Sequence, residues 1–272
     1  MTGFSMDWLS LREPADLDAR NTELLDLALD FAMTANESAC SCCVDLGAGT
    51  GSTLRALANR RPACKEALSW RLVDNDENLL QAAMRYHGQQ CQLEIYCQDL
   101  GQLAALPLTE VKLVTASALF DLVSASFIDG LAAGIGEQPG AGLYSALNYD
   151  GTLSWSPEHP LDQAVVEVIN LDQKKNKGFG PALGPDAVSY TEKVFTEHQF
   201  EVRTASSPWI LGSAYSELAA ELVRGIGRTV SEYSQVDSQQ LNEWVNFRLA
   251  HVVDGECRVG HLDLLAVPAE KF

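Results

Sequence analysis

The sequence predicts an α/β fold, with a mostly parallel sheet carrying helices on both faces. Three observations lead there. Short apolar runs such as Trp70–Val73 and Val111–Val114 alternate with stretches of helical period. The first run, Cys43–Leu46, leads straight into Gly47, Gly49 and Gly51 and then into the helix-like Ser52–Asn59. The first four runs also lead into polar or glycine-rich exits, which an open α/β sheet gathers at the carboxyl ends of its strands, where ligands bind.

The chain has 272 residues, enough for one large α/β domain, and 46% are hydrophobic, enough to bury a core. The net charge of −18 and the pI of about 4.5 oppose generic binding to nucleic acid or an anionic membrane. Seven cysteines are present: Cys40, Cys42, Cys43, Cys64, Cys91, Cys97 and Cys257. Their odd count and the lack of a secretory h-region point to reduced thiols and a cytoplasmic protein. No second Cys or His cluster stands at zinc-site spacing, so no metal is expected. The least polar stretch, 111–136, is interrupted by Asp121 and Asp129 and does not read as a membrane span.

The run Val44-Asp45-Leu46-Gly47-Ala48-Gly49-Thr50-Gly51-Ser52 sets the ligand class. Glycine is needed where φ is positive or where a ligand approaches the backbone closely. A dinucleotide fingerprint would place a third glycine at position 52, where Ser52 stands. The acid-led G-x-G-x-G run resembles the first motif of the class I, Rossmann-like, S-adenosylmethionine-dependent methyltransferases. The resemblance spans most of the chain at the level of fold, with its specific motifs over about residues 44 to 124. It implies a seven-stranded sheet whose last strand runs antiparallel. It also implies S-adenosylmethionine as cofactor, S-adenosylhomocysteine as product, and Asp45, Gly47, Ala48, Gly49 and Gly51 as the cradle.

The second strand, 69–74, ends in Asp74 beside Asn75. An acid there can accept both hydrogen bonds of a ribose diol, or it can cap the helix from Glu77. At the exit of the third strand, 93–100, the resemblance makes Gln98, Asp99 and the Leu100 backbone candidates for the adenine amino group. Asp99 also suits a plain turn before Gly101. The fourth strand, 111–117, brings Ser117 to the same crevice, and a helix is expected over Ala118–Ala133. Residues 1–39 read as a helical cap in which Asn21 begins a helix with Leu24 onward. By resemblance, Arg12 or Arg20 meets the methionyl carboxylate; a surface ion pair with Glu13 or Asp16 is the alternative.

Residues 40–149 thus form the cofactor-binding half of a single domain, 1–272, ending in a fifth strand at 142–149. Residues 150–185, rich in proline and glycine, read as an insert or lid with a short helix-like run at 161–170 and Phe179 as an aromatic anchor. The C-terminal part, 186–272, reads as a helix (186–198), a sixth strand (199–210), two helices (213–233 and 239–253) and a last strand (258–267). Methyl transfer is an in-line displacement, so the protein mainly orients the acceptor, and a base is needed only for an acceptor that holds its proton. His159 is a candidate base, as is Asp121. Asn148, Tyr149, Lys177 and Phe179 are candidate substrate contacts, with Trp155 beside them. Lys174, Lys175 and Lys177 either attract an anionic acceptor or form a charged surface. Thr115-Ala116-Ser117-Ala118 replaces the Asn-Pro-Pro-Tyr stretch of enzymes that methylate nucleobase or glutamine nitrogen. A small-molecule acceptor is therefore expected, with no nucleic acid or membrane partner. Two other readings stay open, an RNA or protein methyltransferase and a non-catalytic S-adenosylmethionine-binding module.

Overall fold

The computed structural model describes residues 5–34 and 41–269; Cys40 lies outside them, as do the flanking positions 35–39 of the expected cap. Two helices come first, α1 (Met6–Ala19) and α2 (Thr22–Met33). Each starts on a side-chain cap: Ser5 Oγ accepts from the Trp8 amide at 3.2 Å and Asn21 Oδ1 from the Leu24 amide at 3.0 Å. There follow β1 (Ser41–Leu46), α3 (Ser52–Arg60), the short α4 (Cys64–Ala67), β2 (Leu68–Asp74), α5 (Glu77–His87), β3 (Gln92–Cys97), β4 (Val111–Ser117) and α6 (Ala125–Gly136). The second half contains β5 (Gly142–Ser156), α7 (Asp162–Gln173), α8 (Ala187–Glu197), β6 (Phe200–Ser206), β7 (Trp209–Leu211), α9 (Ser216–Val230), α10 (Ser238–Ala250) and β8 (Glu256–Pro268).

The strands are ordered β3-β2-β1-β4-β5-β8-β6, with β7 also pairing to β8. β1 to β5 pair in parallel, and β8 runs antiparallel to β5, β6 and β7. Strands buried on both faces need near-continuous apolar runs, as Cys43–Leu46 and Leu113–Ala116 provide. One face packs on α6 and α8 through Phe127, Ile128, Leu131, Val194 and Phe195. The other packs on α2, α3 and α5 through Leu25, Leu29, Leu54, Leu57 and Leu80. A third cluster joins α7, α9 and α10 to the far ends of β5, β7 and β8 around Trp155, Trp209 and Trp244.

The expected α/β architecture and antiparallel last strand are present, with differences of detail. The sheet has eight strands, because Ser207-Pro208 divides the expected sixth one: Ser207 still donates to His261 O at 2.9 Å, whereas Pro208 has no N–H to donate. The expected insert at 150–185 is largely regular. β5 runs on to Ser156 against β8, and α7 covers the helix-like run. Helix α6 starts at Ala125, not Ala118, because Ser124 caps it by accepting from the Phe127 amide. Ahead of it, Ala118 stands at φ +50° before a short 3₁₀ turn, Phe120–Leu122.

Strand β5 carries a bulge. Its pairing with β8 shifts register between Ser145 and Asn148, and Leu147 lies at φ +57°. The Leu147 amide donates to the buried Asp263 Oδ1 at 2.8 Å, which holds a conformation that leucine otherwise disfavours. A bulge redirects the side chains beyond it.

Candidate active site

The glycine turn after β1 walls a cavity of about 240 Å³ at the carboxyl ends of β1 to β4. Gly47, Gly49 and Gly51 all have positive φ, at +66°, +52° and +82°. The Gly47 and Ala48 amides donate to Val73 O at 2.9 and 3.1 Å, binding the turn to β2. A Cβ on Gly49 would lie 3.4 Å from Leu9 Cδ1, in the gap between turn and α1. Gly47, Ala48 and Gly49 line the cavity; Gly51 stands behind them and starts α3 in left-handed conformation.

Of the two jobs open to Asp74 in the sequence, the helix cap falls to another residue. Asp76 caps α5, accepting from the Asn78 and Leu79 amides, while Asp74 lies on the cavity wall. Asp74 Oδ2 accepts from the Gly49 amide at 2.8 Å and Oδ1 from the Asp76 amide at 3.0 Å. Asn75, Asp99, Leu100 and Ser117 complete the wall. Asp99 also closes a turn by accepting from the Gly101 amide at 2.9 Å. Gln98 is not on the wall; its amide donates to Asp74 O at 2.8 Å as strand pairing continues past β3.

Asp45 sits under the turn, 1% exposed, and accepts from Thr115 Oγ1 at 2.7 Å. Burial pushes its carboxyl up to about 6, against the pull of Thr115, Arg20 and Thr53. Such a group favours the fold while protonated, and that contribution is lost as pH rises through its folded value. Asp45→Asn is therefore expected to raise stability at pH 8 by about 2 kcal/mol, with little change at pH 4. Urea denaturation at the two pH values checks this.

Helix α1 roofs the cavity with Leu9, Arg12, Glu13 and Asp16. The Arg12 guanidinium donates to both Asp16 oxygens, at 2.8 and 3.1 Å, and lies 5.0 Å from the Trp209 ring centroid. It is ion-paired as its alternative reading expected, but the pair is buried on the wall. Asp16 also accepts from Trp209 Nε1 at 2.9 Å. Glu13 pairs with Arg55 of α3, which also donates to Thr50 O and Thr50 Oγ1. Arg20 does not reach the wall. It lies behind it, 4% exposed, and donates from Nη2 to Ser117 Oγ at 3.0 Å, with the Tyr144 hydroxyl close by.

A second cavity, of about 410 Å³, abuts the first and shares Arg12, Ala118 and Leu122 with it. Its walls include Trp8, Leu147, Tyr149, Leu153, Trp209, Leu222, Ile226 and Val259, with Asp121 and His261 among them. Ala118 and Leu147, two of the four non-glycine residues with positive φ among the described residues, belong to this wall. Asp121 was expected near a strand end, and the structure buries it at 7% exposure. Burial pushes its carboxyl up to about 6, opposed by its own and the Tyr149 backbone amides and by the charges of Arg12 and Lys177. Burial, helped by the Arg12 charge, lowers His261 to about 3, so its ring is neutral.

Several acceptor-side expectations are corrected. His159 lines neither cavity: its Nδ1 accepts from the Leu161 amide at 3.1 Å just ahead of α7, and its ring packs on Phe247. Asn148 is likewise absent from both walls. It is spent on the bulge, accepting from Ser145 Oγ at 3.0 Å and donating to Leu262 O at 3.1 Å. Lys177 and Lys175 share Asp172 at 2.6 and 3.2 Å, and Lys174 pairs with Asp186 at 2.8 Å, so two carboxylates balance most of this charge locally. Phe179 lines the first cavity, edge-on to Phe127, rather than covering the second. Trp155 packs edge-on against Trp244, and Tyr149 does line the second cavity, donating to Asn170 Oδ1 at 2.9 Å. Sequence reasoning missed Leu9, Glu13 and Asp16, although their spacing puts them on one face of α1. It also missed Ala118, Leu122, Trp209 and His261, which are brought together only by tertiary contacts.

Among solved structures, the chain resembles the cyclopropane synthase MmaA2 from Mycobacterium tuberculosis, with a TM-score of 0.53 and 11% identity over 97% of this chain and 94% of that one. The fold is that of the class I methyltransferases. Two further structures align less closely. The mycolic acid cyclopropane synthase CmaA1, complexed with SAH and CTAB, gives a TM-score of 0.49 and 8% identity over 90% of this chain and 83% of that one. The geranyl diphosphate C-methyltransferase from Streptomyces coelicolor A3(2) gives 0.45 and 11% over 91% and 80%. No family model and no curated protein matches the sequence. Among the described residues, no helix is long and apolar enough to cross a membrane.

Proposed function

We propose that the chain is a methyltransferase that carries the methyl group of S-adenosylmethionine to a small-molecule acceptor. One observation supports this above the rest: two cavities meet at a shared wall of Arg12, Ala118 and Leu122, the first built on the glycine turn and the second mainly apolar. The charge of the first cavity supports the choice of cofactor. Glu13, Asp16, Asp74, Asp76 and Asp99 line it against a single guanidinium, Arg12. A dinucleotide pyrophosphate would be repelled there, whereas a sulfonium and an ammonium suit it.

The residues fit the cofactor. Gly47 to Gly49 give it a backbone cradle without Cβ atoms at the two glycines, and Asp74 takes the ribose hydroxyls. Asp99 and Leu100 take the adenine end, and Arg20 supplies positive charge to the carboxylate through Ser117. When bound, the sulfonium supplies an electrophilic methyl group. Ala118 and Leu122 then frame its path, and the apolar walls of the second cavity keep water from competing.

Calorimetry with S-adenosylhomocysteine, followed by methyl-labelled cofactor in fractionated extract, tests the reading. Label in the small-molecule fraction supports it, and label in RNA or protein replaces it. The ion pair between Glu13 and Arg55 ties the α1 roof to the turn. Arg55→Ala is expected to weaken S-adenosylhomocysteine binding by about fivefold, mainly through faster release in stopped-flow experiments. An unchanged release rate would remove the roof from the binding step.

A further inference from the structure

Resting on the methyltransferase reading, we infer that the acceptor is an uncharged ring compound bearing a hydroxyl or N–H group, and that Asp121 takes its proton. Four residues of the second cavity's wall hold a buried polar atom that makes no hydrogen bond of normal geometry, although backbone groups lie close to the first two: Asp121 Oδ1, His261 Nδ1, Gln173 Oε1 and Trp8 Nε1. Among the described residues there are twelve such atoms, so a third of them gather at one cavity. A buried polar atom left unpaired is costly, so a ligand whose polar groups reached this cluster would relieve that cost. Asp121 and His261 are both more than nine-tenths buried.

The wall also selects against negative charge. Arg12 is held by Asp16, Arg228 is exposed at the rim and pairs with Glu221 at 3.2 Å, and Lys177 is held by Asp172. Beyond Arg228 at the exposed rim, which shares Glu221 with Arg224, the wall offers no cation free of a partner to a carboxylate or phosphate, and Asp121 would repel one. Trp8, Tyr149 and Trp209 offer flat faces for a ring. The volume suits a small organic molecule.

Asp121 adjoins Leu122, on the wall shared with the first cavity, so the proton and the methyl group are handled at the same end. The acceptor's O–H or N–H proton passes to the Asp121 carboxylate. The heteroatom's electron pair forms the bond to the methyl carbon as the carbon–sulfur bond breaks, its pair leaving on sulfur as a thioether. The Asp121 proton returns to solvent after product release. The charged and titratable groups around Asp121 are Arg12 from α1, Lys177 from the loop after α7, Tyr149 from β5, His261 from β8, and Glu221 and Arg228 from α9.

The test uses protein loaded with S-adenosylhomocysteine and a matched pair of probes, 2-naphthol and 2-naphthoate, read by quenching of tryptophan fluorescence. Naphthol is expected to bind at least about tenfold more tightly than naphthoate. Gly225→Leu, which fills the cavity from α9, should abolish naphthol binding while leaving cofactor affinity unchanged. With methyl-labelled cofactor, transfer to naphthol should rise with pH to a plateau above about 6, the ionisation of Asp121. Asp121→Asn should lower that transfer at least about a hundredfold and remove the acid limb, with both affinities retained. Naphthoate binding as tightly as naphthol, no naphthol binding, naphthol binding indifferent to Gly225→Leu, or full transfer by Asp121→Asn would each overturn the inference. Failure to bind S-adenosylhomocysteine would instead overturn the methyltransferase reading beneath it.

Discussion

Asp74→Ala is expected to weaken S-adenosylhomocysteine binding by about a hundredfold, roughly 3 kcal/mol. Two losses combine in that figure. The carboxylate gives up charge-assisted bonds to the ribose diol, each worth about 1.5–3 kcal/mol before desolvation is counted. It also releases the Gly49 and Asp76 amides, which it holds at 2.8 and 3.0 Å, so the turn loses its anchor on β2. A ligand pair separates the two: 5′-methylthioadenosine and its 2′,3′-dideoxy counterpart differ only in the diol. Wild type should discriminate between them by calorimetry and Asp74→Ala should not. Equal discrimination by both proteins would leave Asp74 a turn-holding residue and would move the ribose contact elsewhere on the wall.

That experiment touches the part of the protein most legible in the sequence. The glycine turn, Asp74 and the strand exits are local patterns: a positive φ needs glycine, and an acid after an apolar run falls at a strand end. The alternation of strands and helices was equally readable, because period and composition carry it. What escaped is whatever depends on distant partners. Nothing near Leu147 announces a left-handed residue; the Asp263 carboxylate that holds it lies 116 positions away. His159 looked chemically poised, but helix α7 uses its ring nitrogen. The three lysines could be read either as an anion trap or as a charged surface, and their pairing with Asp172 and Asp186 depends on contacts the spacing does not reveal. Ser207-Pro208 could have been read as a strand break, since proline donates no hydrogen bond. The acceptor half stayed illegible because its wall is assembled from α1, β5, α7, β7, α9 and β8, and although α9 shows one helical face to it, from Glu221 to Thr229, nothing in the sequence brings that face to β5 and β8.

Arg20 shows how closely the expected N-terminal cap is joined to the sheet. Burial opposes its charge, but Tyr144, Asp263 and Asp16 outweigh that and raise its pKa. Asp263 in turn accepts from the Asn21 and Leu147 amides and from the Tyr144 hydroxyl, so one guanidinium balances the carboxylate that shapes the β5 bulge. Arg20→Ala leaves Asp45 and Asp263 buried without that positive charge. Removing one member of such a set costs about 3–5 kcal/mol, here roughly 10 °C in the melting temperature. The loss should depend on pH in a definite sense. Without Arg20 the folded value of the Asp45 carboxyl rises further, so protonation relieves the penalty in acid, and the deficit grows as pH climbs through that value. Melting curves at pH 5 and pH 8 should therefore show the larger gap from wild type at pH 8, and Arg20→Lys should recover part of it. A gap of equal size at both pH values would mean that lost packing, not lost charge, carries the effect. In that case Ser117 would keep its place on the cofactor wall without electrostatic help from behind.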